Sequence, residues 1–293
     1  MENTLQRFLF EHANIRGEIV SLDSSWRHVL ERRKYPGSVS KLLGEVTAAT
    51  TLLAATIKLD GTLSIQIKGH SGLQLVMAEA TGSNSFRSTA KWDQDNEKIL
   101  ENTNLLRKGT IAVTITPEKS RQPYQGLVQT QGESIQHSIE NYMQQSEQLT
   151  TRLWLASNDQ KASGMLLQKL PAKDPIESDD WNRITTLAST ITDQELLSLD
   201  FETILNRLFH EETIRVFEES PMQFICSCSE KRTVAMLHSL GEQEVRSILN
   251  EQGNVNITCE FCGKNYIYSP PGVDRIFSGK SSDPVQDSYG SVN

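Results

Sequence analysis

The chain has 293 residues and a formal net charge of −8. That is enough for two or three domains with a sizeable core, and the acidic balance excludes a global attraction to nucleic acid or anionic membrane. Met1-Glu2-Asn3 opens without a basic-then-apolar leader, and the apolar stretch around Leu52–Leu59 is short and broken by Thr56 and Lys58, so neither a signal peptide nor a membrane span is expected.

Residues 4–10 and 15–22 read as strands, and Asp23 or Ser24 can cap a short helix through Trp26, Val29 and Leu30 that stops before Pro36-Gly37. Ser38 opens the strongest helical signal, with Val39, Leu42, Leu43, Val46, Ala49, Leu53 and Ile57 at helical spacing. Its small and apolar residues predict burial against a sheet. Segments 61–68 and 73–79 alternate as strands, joined by Gly69-His-Ser-Gly72 as a hairpin turn. Further strands are predicted near 85–90, 109–116, 124–130, 152–156 and 162–168, with a helix capped by Ser134 between the third and fourth. Residues 1–172 therefore read as one α+β domain, a mostly antiparallel sheet with packed helices.

Pro171-Ala-Lys-Asp-Pro175 marks a boundary, after which the strand signal vanishes. Trp181, Ile184, Leu187 and Ala188 predict one amphipathic helix, and Thr192 with Glu195 a capping box for the next. Phe201, Ile204, Leu205, Leu208 and Phe209 predict another, continuing toward Val216. A helical segment over 173–222 is too small for a large core of its own and must pack on a neighbour. Beyond it, 234–240 and 242–249 read as helices, and 254–258 with 265–269 as a hairpin. The Ser- and Asp-rich tail over 280–293 reads as disordered.

All four cysteines fall in this last region, as Cys226-Ser-Cys228 and Cys259-Glu-Phe-Cys262, with 30 residues between the pairs. Two close pairs brought together by an intervening loop are what a tetrahedral four-thiolate zinc site needs, at about 2.3 Å from metal to sulfur. Clustered thiols without a secretory leader indicate the reducing cytoplasm rather than a secreted disulfide framework. The C-x-C spacing is unusual: a disulfide over so short a loop is strained, and such disulfides are the labile, regulatory kind.

Other chemistry is missing. Gly69-His-Ser-Gly72 lacks the last glycine of a nucleophile elbow, since Leu73 stands there, and His210-Glu-Glu lacks the second histidine of a zincin. His210 and His238 are weaker ligand candidates than the thiols, and His12, His28, His70 and His137 carry no ligand spacing. Nothing resembles a hydrolase or transferase site, so no enzyme is expected.

Three readings of the cysteines compete. A nucleic-acid ribbon needs a basic face, yet residues 226–272 hold four cationic residues against five glutamates. A thioredoxin-like site needs Cys259 at a helix start, whereas Gly263 turns the chain back as a strand. A zinc site that lets go of its metal when oxidised needs only the same residues, and a purely structural zinc staple fits them equally.

Four stretches carry a resemblance: Gly164-Met-Leu-Leu-Gln-Lys-Leu-Pro171, Leu208-Phe-His-Glu-Glu-Thr-Ile-Arg-Val216, Cys226-Ser-Cys228-Ser and Cys259-Glu-Phe-Cys262-Gly-Lys-Asn-Tyr266. Together they resemble the bacterial 33 kDa chaperonins, redox-regulated heat-shock chaperones, over nearly the whole chain. The resemblance implies an ATP-independent holdase, inactive when reduced with one Zn²⁺ on Cys226, Cys228, Cys259 and Cys262. It implies that oxidation forms Cys226–Cys228 and Cys259–Cys262 disulfides, releases zinc and unfolds a C-terminal domain (223–279) and a metastable linker (173–222). The N-terminal domain, 1–172, is then the substrate-binding and dimerisation part. The partners implied are unfolding client proteins and, when oxidised, a second copy, with no nucleic acid or membrane. Phe201, Leu205, Leu208 and Phe209 are the candidate client-binding residues, as apolar linker positions that unfolding uncovers.

Overall fold

The computed structural model describes residues 3–57, 61–69, 72–96, 105–118, 122–131, 134–171 and 179–278. Most of the expected boundary at 171–175, His70-Ser71 of the first hairpin turn and the tail beyond Gly279 lie outside these residues. The chain divides into two compact units, Met1–Cys226 and Ser227–Asn293. The fold is α+β with largely antiparallel sheets, as the sequence predicts.

The first unit holds two sheets. One is built from β1 (Thr4–Phe10), β2 (Ile15–Leu22), β8 (Thr151–Ser157), β9 (Ala162–Lys169), β10 (Ile214–Val216) and β11 (Ser220–Pro221), in the order β10-β1-β2-β9-β8 with β11 also on β1. All its pairings are antiparallel. The other comprises β3 (Gly61–Lys68), β4 (Leu73–Thr81), β5 (Ser85–Trp92), β6 (Arg107–Pro117), β7 (Tyr124–Gln131) and β12 (Gln223–Phe224), in the order β12-β5-β4-β3-β6-β7. Only its β12–β5 pairing is parallel among the described strands.

Helix α1 (Ser24–Glu31) leads into α2 (Gly37–Thr56), which lies between the sheets. Burial of α2 against a sheet was predicted; the structure buries it against two. Leu43, Val46, Leu52 and Leu53 share one core with Val20, Leu22 and Leu166 of the first sheet and Leu63, Ile65 and Ile67 of the second. Small residues permit this: Ala48 and Ala49 are fully buried, and a Cβ at Gly44 would overlap the Ser157 hydroxyl. The buried threonines are satisfied within the helix, Thr47 donating to the Leu43 carbonyl at 2.7 Å and Thr51 to that of Thr47 at 2.9 Å. Trp26 is buried with its indole N–H donating to the Asn158 carbonyl at 2.8 Å. The amides of Asp23 and Ser25 at the start of α1 donate to the Asn3 side chain, each at 2.9 Å. Capping by the side chain of Asp23 or Ser24 is thus corrected: a residue twenty positions upstream reaches the same amides.

Helix α3 (Ile135–Gln145) is capped by Ser134 as predicted. Helices α4 (Asp180–Ala188), α5 (Asp193–Ser198) and α6 (Phe201–Phe209) cover the other face of the first sheet. Thr192 and Glu195 form the predicted capping box, and Asp200 caps α6. Their apolar faces pack on Phe8, Phe10, Ile15, Ile19, Met165 and Leu167. The contact is aromatic at its centre, with Phe10 and Phe209 edge to face at 5.1 Å. Gly17 makes room for Phe8, whose ring occupies the space a Cβ there would take.

Two expectations for this region are overturned. The helix does not continue toward Val216 but ends at Phe209, and the strand signal does not vanish, because β10, β11 and β12 follow. Ile214 and Val216 are β-branched, and the outer edge of β1 offers them a ladder that the helical pattern could not reveal.

The second unit contains α7 (Glu230–Leu240), α8 (Glu242–Gln252), the hairpin β13 (Val255–Thr258) and β14 (Asn265–Tyr268), and α9 (Pro270–Phe277). Among the described residues, its core has seven buried side chains: Leu237, Val245, Leu249, Val255, Tyr266, Tyr268 and Val273. Helix α9 escaped the sequence reading, although prolines in a first helical turn are a start signal.

Candidate metal centre

The first cysteine pair leads into a helix, and the second sits in a hairpin turn. Cys226 is the last residue before the division between the units, and Cys228 directly precedes Ser229, the N-cap of α7. The Ser229 hydroxyl accepts from the Arg232 amide at 3.3 Å, fixing the helix start beside the first pair. Cys259 and Cys262 occupy the β13–β14 turn, as predicted from the flanking strands. There the Cys259 amide donates to the Lys264 carbonyl at 2.9 Å and the Gly263 amide to the Cys259 carbonyl at 2.8 Å. Gly263 has φ of +70°, the left-handed backbone that closes this turn.

The result is a cluster of four sulfurs, all within 4.8 Å of one another. Sulfurs at the corners of a tetrahedron about 2.3 Å from its centre lie about 3.8 Å apart, so a single ion fits among them. Cys228 and Cys262 Sγ are 3.3 Å apart. None of the four is in a disulfide, and all are partly exposed. An all-sulfur donor set suits a soft or borderline divalent metal.

The sequence reading missed one residue of this centre. The Tyr266 hydroxyl donates to Cys228 Sγ at 3.2 Å while its ring is buried in the small core. Burial first, then the hydrogen bond to Cys228 and the charge of the neighbouring thiols, raise the phenol above its ordinary range. Lys264 Nζ stands 5.3 Å from the centroid of the same ring. The available signal was strand alternation, since Tyr266 and Tyr268 must share the buried face of β14.

The expected client-binding residues Phe201, Leu205, Leu208 and Phe209 lie together on the inward face of α6, none more than 7 % exposed. They belong to the core against the first sheet.

The Hsp33 protein family model matches residues 3–269. The chain belongs to that family. Hsp33 relatives include the 33 kDa chaperonins of Chromobacterium violaceum, 44 % identical over 93 % of each chain, and Nitrosococcus oceani, 43 % identical over 97 % of each. The Hsp33 fold is shared with the crystal structure of the 33 kDa chaperonin from Thermotoga maritima, with a TM-score of 0.82 over 95 % of this chain and 99 % of that one, at 18 % identity. The Hsp33 family is a chaperone family, and no described helix is long and apolar enough to cross a membrane.

Proposed function

We propose that this protein is a redox-regulated, ATP-independent holdase of the cytoplasm and not an enzyme. The observation carrying the proposal is the mutual proximity of the sulfurs of Cys226, Cys228, Cys259 and Cys262, none of them in a disulfide. In the reduced state these four residues hold one Zn²⁺, which supplies the cross-link that so small a core lacks. Oxidation joins Cys226 to Cys228 and Cys259 to Cys262. Each disulfide takes two electrons from its sulfurs, and one peroxide accepts them with two protons and leaves as two waters. No thiolate donor then remains for the metal.

The energies support a switch. Structural zinc contributes about 10–16 kcal/mol in small thiolate domains, whereas a whole domain is stable by about 5–15 kcal/mol. A unit with seven buried core residues therefore unfolds once its metal is lost. We assign residues 1–172 to substrate binding and dimerisation, 173–222 to a metastable linker, 223–279 to the zinc switch and 280–293 to a tail. When the linker loosens, Phe201, Leu205, Leu208 and Phe209 and the sheet face beneath them become available to unfolding clients, and the oxidised protein forms a homodimer. Nucleic acid and membrane are not partners.

The test is a peroxide titration of the reduced protein at elevated temperature, following zinc release and suppression of a model client's aggregation in the same samples. The two rise together and a thiol reductant resets the thiols. Zinc that stays bound, or leaves without a gain in client protection, makes the cysteines a staple and the function wrong.

A further inference from the structure

Residues 214–225, immediately before the first cysteine, form a strap across the edges of both sheets of the first unit. β10 pairs Ile214, Arg215 and Val216 with Phe10, Leu9 and Phe8, and β11 pairs Ser220 and Pro221 with Leu5 and Thr4. The register slips by one residue between the two segments, a bulge in the strap. β12 then pairs with Ser85 and Phe86 at the edge of β5. The Glu11 amide donates to the Thr213 carbonyl, and the Phe217 amide to that of Arg7, each at 3.0 Å. Leu9 lies between Arg7 and Glu11 in the ladder, so its backbone groups also face the strap rather than β2.

The strap is held by its backbone pairings, by the exposed Arg215–Glu11 ion pair at 2.7 Å, by the Gln6 side chain donating to the Phe217 carbonyl, and by Ile214 and Phe224 packed against the two cores. Of residues 214–225 only Met222 is buried, while Val216, Phe217 and Ile225 are each about half exposed (48 %, 47 % and 51 %). A cleft of about 460 Å³ lined by Phe201, Leu205, Phe209, Ile214 and Val216 lies along its junction with α6. Few buried contacts and short pairings mark a segment that opens locally before the rest of the fold. β1 differs: Leu5, Phe8 and Phe10 are at most 2 % exposed, and all seven residues pair with β2 on the other side.

We propose that β1 is a concealed docking edge, covered by residues 214–221 and used by an extended apolar segment of an unfolded protein that adds as an antiparallel strand. This rests on the switch reading above, which supplies the event that frees the strap. The strap shows the binding mode, in which backbone groups of Arg7, Leu9 and Glu11 are met by an extended chain whatever its sequence, as β-strand addition requires. The strap carries the devices that blunt an edge, namely Pro221, Glu218, Glu219 and Arg215, whereas Thr-Leu-Gln-Arg-Phe-Leu-Phe of β1 carries a single charge. Uncovered, β1 is a seven-residue template with four apolar residues and one charge. A second copy is the weaker occupant, because its strap brings the same Pro221 and glutamates and competes with the chain's own tethered one.

The test is hydrogen exchange at Leu9 and Glu11 in the full chain, with reduced, carboxymethylated α-lactalbumin as client and zinc release recorded in parallel. Both amides are protected in the reduced protein, exchange freely after oxidation, and regain protection when client is added. Leu9→Pro removes the edge N–H without touching the β2 ladder. It leaves zinc release unchanged and weakens client capture roughly tenfold relative to Leu9→Ala, the loss of about one net hydrogen bond. Amides that stay protected after oxidation, that bound client leaves exchanging, or that follow protein concentration instead of client overturn the proposal. Capture without re-protection overturns this inference alone; no capture by the oxidised wild type overturns the switch reading and this inference with it.

Discussion

The Tyr266 hydroxyl donates a hydrogen bond to Cys228 Sγ at 3.2 Å and ties the small core of the second unit to its sulfur cluster. A donor to a ligand atom tunes metal sites from outside the ligand set, and removing one costs about 10–100-fold in metal affinity. Tyr266→Phe keeps the ring in the core and loses only this bond. Competition against a chromophoric chelator should show zinc held about 10-fold or more weakly, with earlier release in a peroxide titration. Unchanged affinity would make Tyr266 a core residue only.

Removing a ligand is more drastic. Cys228→Ser, or a strong chelator acting on reduced protein, should unfold residues 227–278 while the core around α2 survives, since that core does not involve the cysteines. Proton–nitrogen NMR is the measurement. Dispersed signals from α7, α8 and the β13–β14 hairpin after zinc removal would show that the second unit folds without metal.

Phe209 is 2 % exposed and meets Phe10 edge to face at 5.1 Å. Phe209→Ala leaves a cavity costing about 3–5 kcal/mol, concentrated where α4–α6 meet the first sheet. Limited proteolysis should cut the reduced variant between residues 179 and 213 faster than wild type, and the variant should capture some client without oxidation. Equal protection of the helices in variant and wild type would mean that this contact does not hold the linker down.

Glu18 is 2 % exposed on β2, and its Oε2 has no hydrogen-bond partner among the described residues. Burial, offset only in part by Arg16 and Arg7, pushes its carboxyl up to about 8 from the ordinary 4.5. The folded state thus keeps a proton that the unfolded chain gives up. Stability is fully present below about 4.5, falls as pH rises toward 8 and is lost above it. Glu18→Gln removes the dependence. Its melting temperature should exceed that of wild type by at least about 4 °C at pH 8.5 and nearly match it at pH 5. Parallel pH profiles for the two proteins would mean that the carboxyl is not protonated in the fold.

The sequence by itself determined the elements whose signals are local. Strand alternation placed β3 and β4, the Thr192–Glu195 capping box placed α5, and cysteine spacing selected four residues for one metal. These features depend on neighbours a few positions away, so their physics is written in the order of the residues. What only the tertiary structure decided depends on partners far along the chain. The burial of α2 on both faces needs a second sheet, and the cap of α1 needs Asn3. The Tyr266–Cys228 bond needs the first cysteine pair brought beside β14. Residues 214–216 become a strand because β1, some two hundred residues earlier, presents an open row of amides and carbonyls. Short segments with weak local preference take the conformation that satisfies their backbone, and the sheet edge supplies it.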